Sequence, residues 1–568
     1  MYKPNKRHLQ PLLISTINDL PEKHRHRLEQ SWAGVFYREF FCRLKEEPFA
    51  VLFADLPSRP NTPVNVLVGL DTLKAGFGWS DEELYDHFVF DVQVRFALGY
   101  RDLKEGEFDL RTLYNFRRRL SQYNQAHGTN LLSAAFANIT DQQITAFKVH
   151  TGKQRMDSTQ IASHILDASR LELAVDAVQR LKQMMTPGDQ QQYAELLAPF
   201  SQGDAGQYVY RVKGKEATAE HLLAAGQVLY QLLQRLAGAY AQEPIYQVAQ
   251  RFFDENYRVL ESQVQTKEPQ ELGSGSLQSL DDLEATYRQK GNRFYKGYVA
   301  NLTETCDPKN SLQLITAVQV ASNNCEDADL LVEVLPELKE RTGLETLYAD
   351  GGYGSPEADE ALSQARVKLH QTGIRGKDPN PKKLNLSDLT FELDENDQPI
   401  RATCPGQQMG MLTTEAKGYT LYFDAAICRA CPLLAEQRCR ARRVKSDKTR
   451  YNWAFSRKEF LWAQRRKRYQ QLKQQVNNPR TAVEATVRSL KHPFPDSHLP
   501  VRGRFRVTCV MVASAAMINI RRIWRYLLGK EQGKAAEDAE VETSMITLAS
   551  AFRIPGLPGR FVMPCFSF

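Results

Sequence analysis

LETLYADGGYG, residues 344–354, is the stretch that decides the fold class. Its first six residues mix β-branched, aromatic and apolar side chains and predict a short strand, which ends where Asp350 begins. The glycines after Asp350 permit a tight turn, beyond which a helix is predicted over 356–366 and another strand over 367–370. A strand, turn, helix and strand in succession are typical of a mixed α/β sheet.

The segments on both sides extend this prediction. Further strands are predicted over 155–161, 294–299 and 312–320, and helices over 326–341, 479–495 and 504–528. Residues 165–275 carry apolar residues three and four positions apart, which predicts a helical insertion into the sheet domain. Residues 375–470 are polar and contain prolines and cysteines, which predicts a second, cysteine-rich and basic insertion. Residues 529–568 are expected to form a C-terminal tail.

Residues 1–140 are predicted to be a helical N-terminal domain. Ser80 and Glu83 have the spacing of a capping box, and a second helix is predicted over 109–120. That second helix ends in three consecutive cations, Arg117, Arg118 and Arg119. A helix, a turn and a basic helix would suit a module that binds DNA ends. A helical bundle with a solvated basic end explains the same pattern equally well.

The positive charge of the chain is concentrated in one region. The 568 residues have a net charge of +7, and 42% of them are hydrophobic, as in ordinary globular proteins. Between 438 and 473 there are fourteen Lys or Arg against two Asp or Glu. This excess predicts a phosphate-binding surface. The candidate DNA contacts within it are Arg465, Arg466 and Arg468. The alternative is a basic helix whose aromatic side packs on the core.

Neither a signal peptide nor a membrane span is predicted. The most apolar segment, 507–520, is too short for a span and is interpreted as a buried helix. We therefore expect a cytoplasmic protein without a membrane partner. In a reducing compartment, clustered cysteines favour a metal site over disulfides.

Four of the nine cysteines are clustered. Cys404, Cys428, Cys431 and Cys439 include one pair separated by two residues, which places two thiolates on one knuckle. Four thiolates satisfy tetrahedral Zn²⁺ and leave no open position, so the predicted zinc is structural. The alternative is four unligated cysteines in a loop.

Three acidic residues are candidate ligands for a second metal centre. Asp157 lies in the first predicted strand, Asp350 follows a later strand, and Glu484 lies in a helix. Carboxylates that converge repel one another unless cations neutralise them, and oxygen ligands select Mg²⁺ or Mn²⁺. Two such ions would suit phosphodiester chemistry. Taken singly, each acid could equally cap a turn or lie solvated on a surface.

The segments around these acids resemble the DDE transposases of bacterial insertion sequences. The matching pieces are MDSTQIAS around Asp157, YADGGYGS around Asp350, and the helix from 479. In that helix Arg480, Glu484 and Lys491 have the spacing of the family signature of Tyr, Arg, Glu and Lys. Asn477 occupies the tyrosine position, which leaves open whether cleavage passes through a DNA hairpin.

The resemblance implies an RNase H-like α/β domain over 147–528, interrupted by the two insertions. It implies a transposase that binds the terminal repeats of an insertion sequence, hydrolyses their 3′ ends and joins them to target DNA. Asp157, Asp350 and Glu484 would hold two Mg²⁺ or Mn²⁺ ions, Arg480 and Lys491 would contact phosphates, and a homodimer would form on DNA. The alternatives are a metal-dependent nuclease without strand transfer, an inactive DNA-binding derivative, and a zinc-stapled interaction module.

Overall fold

The computed structural model describes residues 1–10, 14–54, 60–165, 167–376, 379–395, 397–415, 418–474, 479–495 and 498–551. Helices occupy the N-terminal part of the chain. They are α1 (Glu22–Gln30), α2 (Trp32–Phe36), α3 (Val64–Phe77), α4 (Asp81–Phe90), α5 (Val92–Ala97), α6 (Leu110–His127) and α7 (Leu131–Phe147), with a π-helix at Tyr37–Phe41 and 3₁₀ helices at Arg7–Leu9 and Glu47–Leu52. The predicted capping box of Ser80 and Glu83 is confirmed at the start of α4.

The first strand of the central sheet precedes a helical segment. The elements are β1 (Lys153–Ile161), α8 (Arg170–Met184), α9 (Pro187–Gln192), α10 (Ala194–Leu197), α11 (Ala205–Arg211), α12 (Lys215–Tyr240), α13 (Pro244–Asn256), β2 (Tyr257–Leu260) and β3 (Gln263–Thr266), with 3₁₀ helices at Ala198–Phe200 and Pro269–Glu271. The helices α8, α12 and α13 enclose a hydrophobic core of their own. The hairpin of β2 and β3 was not anticipated from the sequence.

The remaining strands of the central sheet follow. The elements are β4 (Thr286–Lys290), β5 (Arg293–Thr305), β6 (Ile315–Ser322), α14 (Asp327–Thr342), β7 (Thr346–Ala349), α15 (Pro356–Gln364) and β8 (Lys368–Gln371), with a 3₁₀ helix at Gly351–Tyr353. The strand order is β6-β5-β1-β7-β8, and β4 pairs with the first half of β5. The pairs β6-β5 and β5-β1 are antiparallel, whereas β1-β7 and β7-β8 are parallel. This mixed α/β sheet is compatible with the RNase H-like expectation.

A second six-stranded sheet forms within 375–470, where the sequence suggested only a polar segment. The elements are β9 (Thr390–Leu393), β10 (Pro399–Thr403), β11 (Met409–Glu415), β12 (Gly418–Asp424), α16 (Ala425–Ala430), α17 (Pro432–Ala435), β13 (Arg442–Arg443), β14 (Arg450–Phe455) and α18 (Arg457–Lys473), with a 3₁₀ helix at Leu386–Asp388. All its pairings are antiparallel, in the order β13-β14-β12-β11-β10-β9. One face packs against α18, and the other is largely exposed and includes apolar side chains such as Ile400, Met409 and Met411.

Two helices complete the chain, α19 (Thr481–Lys491) and α20 (Arg504–Ala551). The part of α20 at Arg504–Lys530 is long and apolar enough to cross a membrane by composition alone, yet 67% of that window is buried within the protein. It packs on α3, α7 and β6, and Asn519 Oδ1 accepts a 2.8 Å hydrogen bond from Ile315 N. The predicted buried helix over 507–520 is confirmed. The segment expected to be a tail continues α20 to Ala551, and 552–568 lie outside the described residues.

Candidate active site

Two of the three predicted acids lie on neighbouring strands at the same level of the sheet. Arg155 of β1 pairs with Tyr348 of the parallel strand β7, and each precedes an acid, Asp157 and Asp350, by two residues. Asp157 is only 8% exposed. Asp350 begins the turn after β7, where its Oδ1 accepts a 2.7 Å hydrogen bond from the backbone of Gly352. The sheet therefore brings together two carboxylates that are far apart in the sequence.

Arg480 connects Glu484 to this pair. Its Nη2 atom lies 3.0 Å from Asp157 Oδ1, and its Nη1 atom lies 3.3 Å from Glu484 Oε1. Arg480 precedes α19 directly and Glu484 lies in the first turn, so one end of the helix carries both side chains. Asp157 is buried, whereas the side chain of Glu484 is 64% exposed. The guanidinium lies between the buried acid and the exposed one.

The electrostatics of this centre show three acids acting on one cation. Burial raises the pKa of Asp157, the neighbouring Arg480 lowers it, and the charge of Asp350 raises it again, so that the net shift is upward. Burial opposes the charged form of Arg480, but the charges of Asp157, Asp350 and Glu484 together raise its pKa. In the metal-free protein the arginine thus offsets part of the repulsion among the carboxylates.

A buried acid that the sequence did not reveal anchors α19 to the sheet. Glu304 of β5 is fully buried and pairs with Arg155 at 2.6 Å and with Arg522 at 2.7 Å. It also accepts a 2.9 Å hydrogen bond from the hydroxyl of Thr486 in α19. Arg155 in turn donates to the carbonyl of Pro479 at 2.7 Å, just before the helix. These contacts hold the start of α19, and with it Glu484, against β1 and β5.

Lys491 lies at the other end of α19. Its ammonium donates to the carbonyl of Gln160 in β1 at 3.3 Å, and burial lowers its pKa. It therefore lies beside the strand that carries Asp157, on the helix that carries Glu484. Asn477, the residue at the tyrosine position of the signature, lies outside the described residues.

The donor atoms of the acidic centre fit a divalent ion by their chemistry. They are all carboxylate oxygens, the ligands that Mg²⁺ and Mn²⁺ prefer. Within the described part of the chain, no set of three or more His, Cys, Asp or Glu side chains is arranged to hold a metal ion. At this centre the reason is visible, because Arg480 lies between Asp157 and Glu484. The arrangement is that of a carboxylate centre neutralised by an arginine.

The four predicted zinc ligands line one small cavity. Cys404, Cys428, Cys431 and Cys439 border a space of about 30 Å³ beside β12 and β14. A Cβ atom at Gly406 would lie 3.2 Å from the sulfur of Cys431, so the absence of a side chain there leaves room for the thiols. Burial and the other thiols raise the pKa of Cys428 to about 11. The thiols are close together but do not have the geometry of a formed metal site.

The arginines of α18 lie in different surroundings from those expected. Arg465 is 5% exposed and its Nη1 lies 3.2 Å from Asp359 Oδ2 of α15. Arg468 donates from Nε to the carbonyl of Leu369 in β8 at 2.9 Å. The two side chains thus join α18 to α15 and to β8, a structural role that their charge alone did not indicate. Arg466 is half-buried and lies over the ring of Trp462 at 5.6 Å.

The three predicted DNA contacts of α6 also include one arginine held in ion pairs and two that are exposed. Arg117 forms ion pairs with Asp71 at 2.6 Å and Asp81 at 2.9 Å, which place it between α3 and α4. Arg118 and Arg119 are exposed, and Arg119 also lies over the ring of Phe53. Of the three predicted contacts Arg117, Arg118 and Arg119, the last two have the exposure that a DNA contact requires.

A group of exposed cations lies in the same segment of the chain as the cysteine cavity. The structure places them on α16, on β13 and β14, and in the loops between α17 and β14. We call them the insertion cations: Arg429, Arg438, Arg440, Arg442, Arg443, Lys445, Lys448 and Arg450. The basic run in the sequence contained seven of the eight, but nothing local distinguished them from the buried arginines of α18.

A search of known protein families found one match. Residues 403–524 match the family described as Transposase DDE domain. The match runs from the end of β10 through α18 and α19 into α20, so it includes Glu484 and Arg480 but neither Asp157 nor Asp350. No curated protein and no solved structure matched the chain. The resemblance to DDE transposases is confirmed by the family match.

Proposed function

We propose that this chain, whose residues 403–524 match the transposase DDE domain family, binds the terminal repeats of a mobile element, hydrolyses their 3′ ends and joins them to target DNA. One observation carries the proposal. Arg480 contacts both Asp157 and Glu484, so the start of the helix inside the matched segment reaches an acid of the sheet that lies outside it. This contact supports the assignment of Asp157, Asp350 and Glu484 to one centre.

The proposed roles of the residues follow from their positions. Asp157, Asp350 and Glu484 would hold two Mg²⁺ or Mn²⁺ ions, which when bound activate the attacking oxygen and stabilise the leaving oxygen of a phosphodiester. Arg480 and Lys491 would bind the DNA backbone from the same helix. The contacts of Glu304 keep this helix in place, which favours catalysis because reacting groups must be held accurately.

We further propose that the insertion cations form the main DNA-binding surface of the second sheet, with Arg466, Arg118 and Arg119 as additional contacts. The insertion cations are exposed, whereas Arg465 is buried against Asp359 and Arg468 donates to the carbonyl of Leu369. Replacing Arg442 and Arg443 with Ala should flatten the plot of log affinity against log salt by about 0.9 for each phosphate that is no longer neutralised. The matched control is Arg401→Ala in β10, whose guanidinium pairs with Glu392. If Arg401→Ala changed the salt dependence of DNA affinity as much as the replacement of Arg442 and Arg443, the proposal that the insertion cations bind DNA would be contradicted.

We also propose that the protein binds a structural zinc ion, forms a dimer on DNA and acts in the cytoplasm. Cys404, Cys428, Cys431 and Cys439 would hold a structural Zn²⁺, because four thiols share one cavity and Gly406 leaves it open. Two copies of the chain would pair the two DNA ends. A measured mass of one chain in the end-paired complex would exclude this dimer. The protein would act in the cytoplasm, on the nucleoid.

The decisive experiment is cleavage of DNA carrying the ends of the element, in Mg²⁺, by wild type and by Glu484→Gln. We expect cleavage to fall by at least about a hundredfold, the usual loss when a group that stabilises the transition-state charge is removed. Binding of the same DNA should persist. The control is Glu340→Gln, an exposed acid in α14 that should leave cleavage unchanged.

The same assay separates the alternative functions. Joining of cleaved ends to target DNA supports a transposase, whereas cleavage without joining indicates a nuclease. Binding without cleavage by the wild-type protein indicates an inactive derivative. Unchanged cleavage by Glu484→Gln would exclude Glu484 from the centre.

A further inference from the structure

A fourth carboxylate lies beside the acidic centre. Asp327 is the first residue of α14 and is only 6% exposed, whereas Asp329, two residues further in the same turn, is exposed. Burying a carboxylate costs free energy unless hydrogen bonds or cations compensate. The hydroxyl of Ser158 donates to Asp327 Oδ1 at 2.8 Å, and Ser158 directly follows Asp157 in β1.

The other oxygen of Asp327 faces the second sheet acid. A Cβ atom at position 352 would lie 2.4 Å from Asp327 Oδ2 and 2.9 Å from Asp350 Oδ1. Gly352 therefore lies between the two carboxylates, and a side chain at this position would have to displace them. The glycine keeps open a space that is bordered by two acids and by the guanidinium of Arg375, whose Nη2 atom would lie 3.3 Å from the same Cβ atom.

The buried phenol of Tyr353 indicates the same grouping from another side. Its hydroxyl donates to Asn301 Oδ1 at 2.7 Å, beneath the acidic centre. Burial raises the pKa of Tyr353 well above its usual value, and the charges of Asp327, Asp157 and Asp350 raise it further. Three carboxylates, from α14, β1 and the end of β7, are thus near enough for their charges to act on one phenol.

We propose that Asp327 is a positioning residue of the acidic centre, whose charge strengthens the binding of divalent cations by Asp157 and Asp350. Ser158 holds its carboxylate in place, and Gly352 keeps the space between Asp327 and Asp350 open. The inference rests on the proposed function, because it assumes that the centre binds such cations. Negative charges in a poorly solvated site attract a cation more strongly than the same charges in water.

The test measures Mn²⁺ binding to the full chain without DNA, by electron paramagnetic resonance of the free ion. Asp327→Asn keeps the size of the side chain and an oxygen that can accept from Ser158, but removes the charge. We expect Mn²⁺ affinity to fall about tenfold to a hundredfold, as for outer partners of known metal sites. Asp329→Asn is the matched control. Because it removes a charge from the same helix turn, it should leave the affinity unchanged.

A structural role would produce a different result. If Asp327 served only the start of α14, Asp327→Asn would lower the melting temperature without Mn²⁺ and leave the Mn²⁺ affinity as in wild type. That outcome would overturn the inference. Asp327→Glu restores the charge and should recover much of the affinity that Asp327→Asn loses.

Asp350→Asn separates the inference from the proposed function. If it weakens Mn²⁺ binding and Asp327→Asn does not, only the role of Asp327 fails. If Asp350→Asn also leaves binding unchanged, the metal centre itself is disproved. Should Asp327→Asn fail to fold, Asp327→Ser replaces it, because it also removes the charge and keeps an oxygen at the start of α14. Unchanged Mn²⁺ affinity in folded Asp327→Ser would also overturn the inference.

Discussion

The acidic centre and the cysteine cavity are assembled in opposite ways. Asp157, Asp350 and Glu484 come from a strand, the end of another strand and a helix that are far apart in the chain. Arg480 contacts Asp157 and Glu484, and the parallel pairing of β1 and β7 places Asp350 near Asp157. The four cysteines come from one stretch of a single sheet and its adjoining helices. The first site depends on how the domains pack, and the second depends mainly on local folding. Perturbing one should therefore leave the other largely intact.

Among the variants that should perturb one site and spare the other, Cys428→Ser is expected to have the largest effect. If the cavity holds zinc, the variant should lose the bound metal, because three thiolates and a hydroxyl bind Zn²⁺ poorly. Structural zinc contributes on the order of 10 kcal/mol to the folding of small domains, so the second sheet should melt well before the central sheet. Metal analysis and hydrogen exchange would show both effects.

Cys325→Ser is the control for this change, since Cys325 lies outside the cavity. It should retain the zinc and the stability of the second sheet. Wild-type protein purified without zinc would contradict the zinc proposal, whatever the variants do.

A smaller effect, confined to the acidic centre, is expected from Glu304→Gln. The change leaves the buried cations Arg155 and Arg522 without their charged partner, which should lower the free energy of unfolding by about 3–5 kcal/mol. Urea denaturation would measure this loss, and the zinc content should not change.

Glu337→Gln provides the comparison for Glu304. Its carboxylate pairs with Arg341 at the surface and is 64% exposed, so the expected loss is below about 1 kcal/mol. Similar losses in the two variants would mean that the network around Glu304 does not anchor α19.

The smallest effect concerns the junction between the two regions and depends on pH. Burial lowers the pKa of His370 in β8 to about 4, and the charges of Arg468 and Lys368 contribute. The unfolded chain takes up this proton near pH 6.5, so the neutral histidine stabilises the fold above that pH. This stability is lost as the pH falls through 4. His370→Asn should remove about 1–2 kcal/mol of the acid destabilisation, allowing for partial solvent screening.

Protonation of Asp359 affects the stability of the fold in the opposite direction over the same pH range. Burial raises its pKa to about 6, against the lowering effect of Arg465 and Arg468. Its contribution is present below about pH 3.9 and is lost as the pH rises through 6. Unfolding measured from pH 4 to 7 should thus show steeper acid destabilisation in Asp359→Asn and a flatter one in His370→Asn. Equal profiles in both variants would contradict the assignment.

Local patterns in the sequence determined much of the central sheet. The strands β1, β5, β6, β7 and β8 and the helices α14 and α15 were predicted to within a few residues, except that β5 is longer. Their signals are periodicity, caps and turn glycines, which depend on residues only a few positions apart. The cysteine spacing and the family signature were also visible, because each lies within one continuous segment.

Only the tertiary structure decided the rest. The second sheet was not predicted from the sequence. Its strands are short and one of its faces is exposed, so the sequence contains no apolar run that would indicate them. Arg465 and Arg466 are adjacent in the sequence, yet only one is buried against Asp359. Asp327 and Glu304 were not singled out in the sequence, because their partners, Ser158 and Arg155, lie on a distant strand. Burial and charge pairing depend on which surfaces meet, and residues that are neighbours along the chain do not encode that.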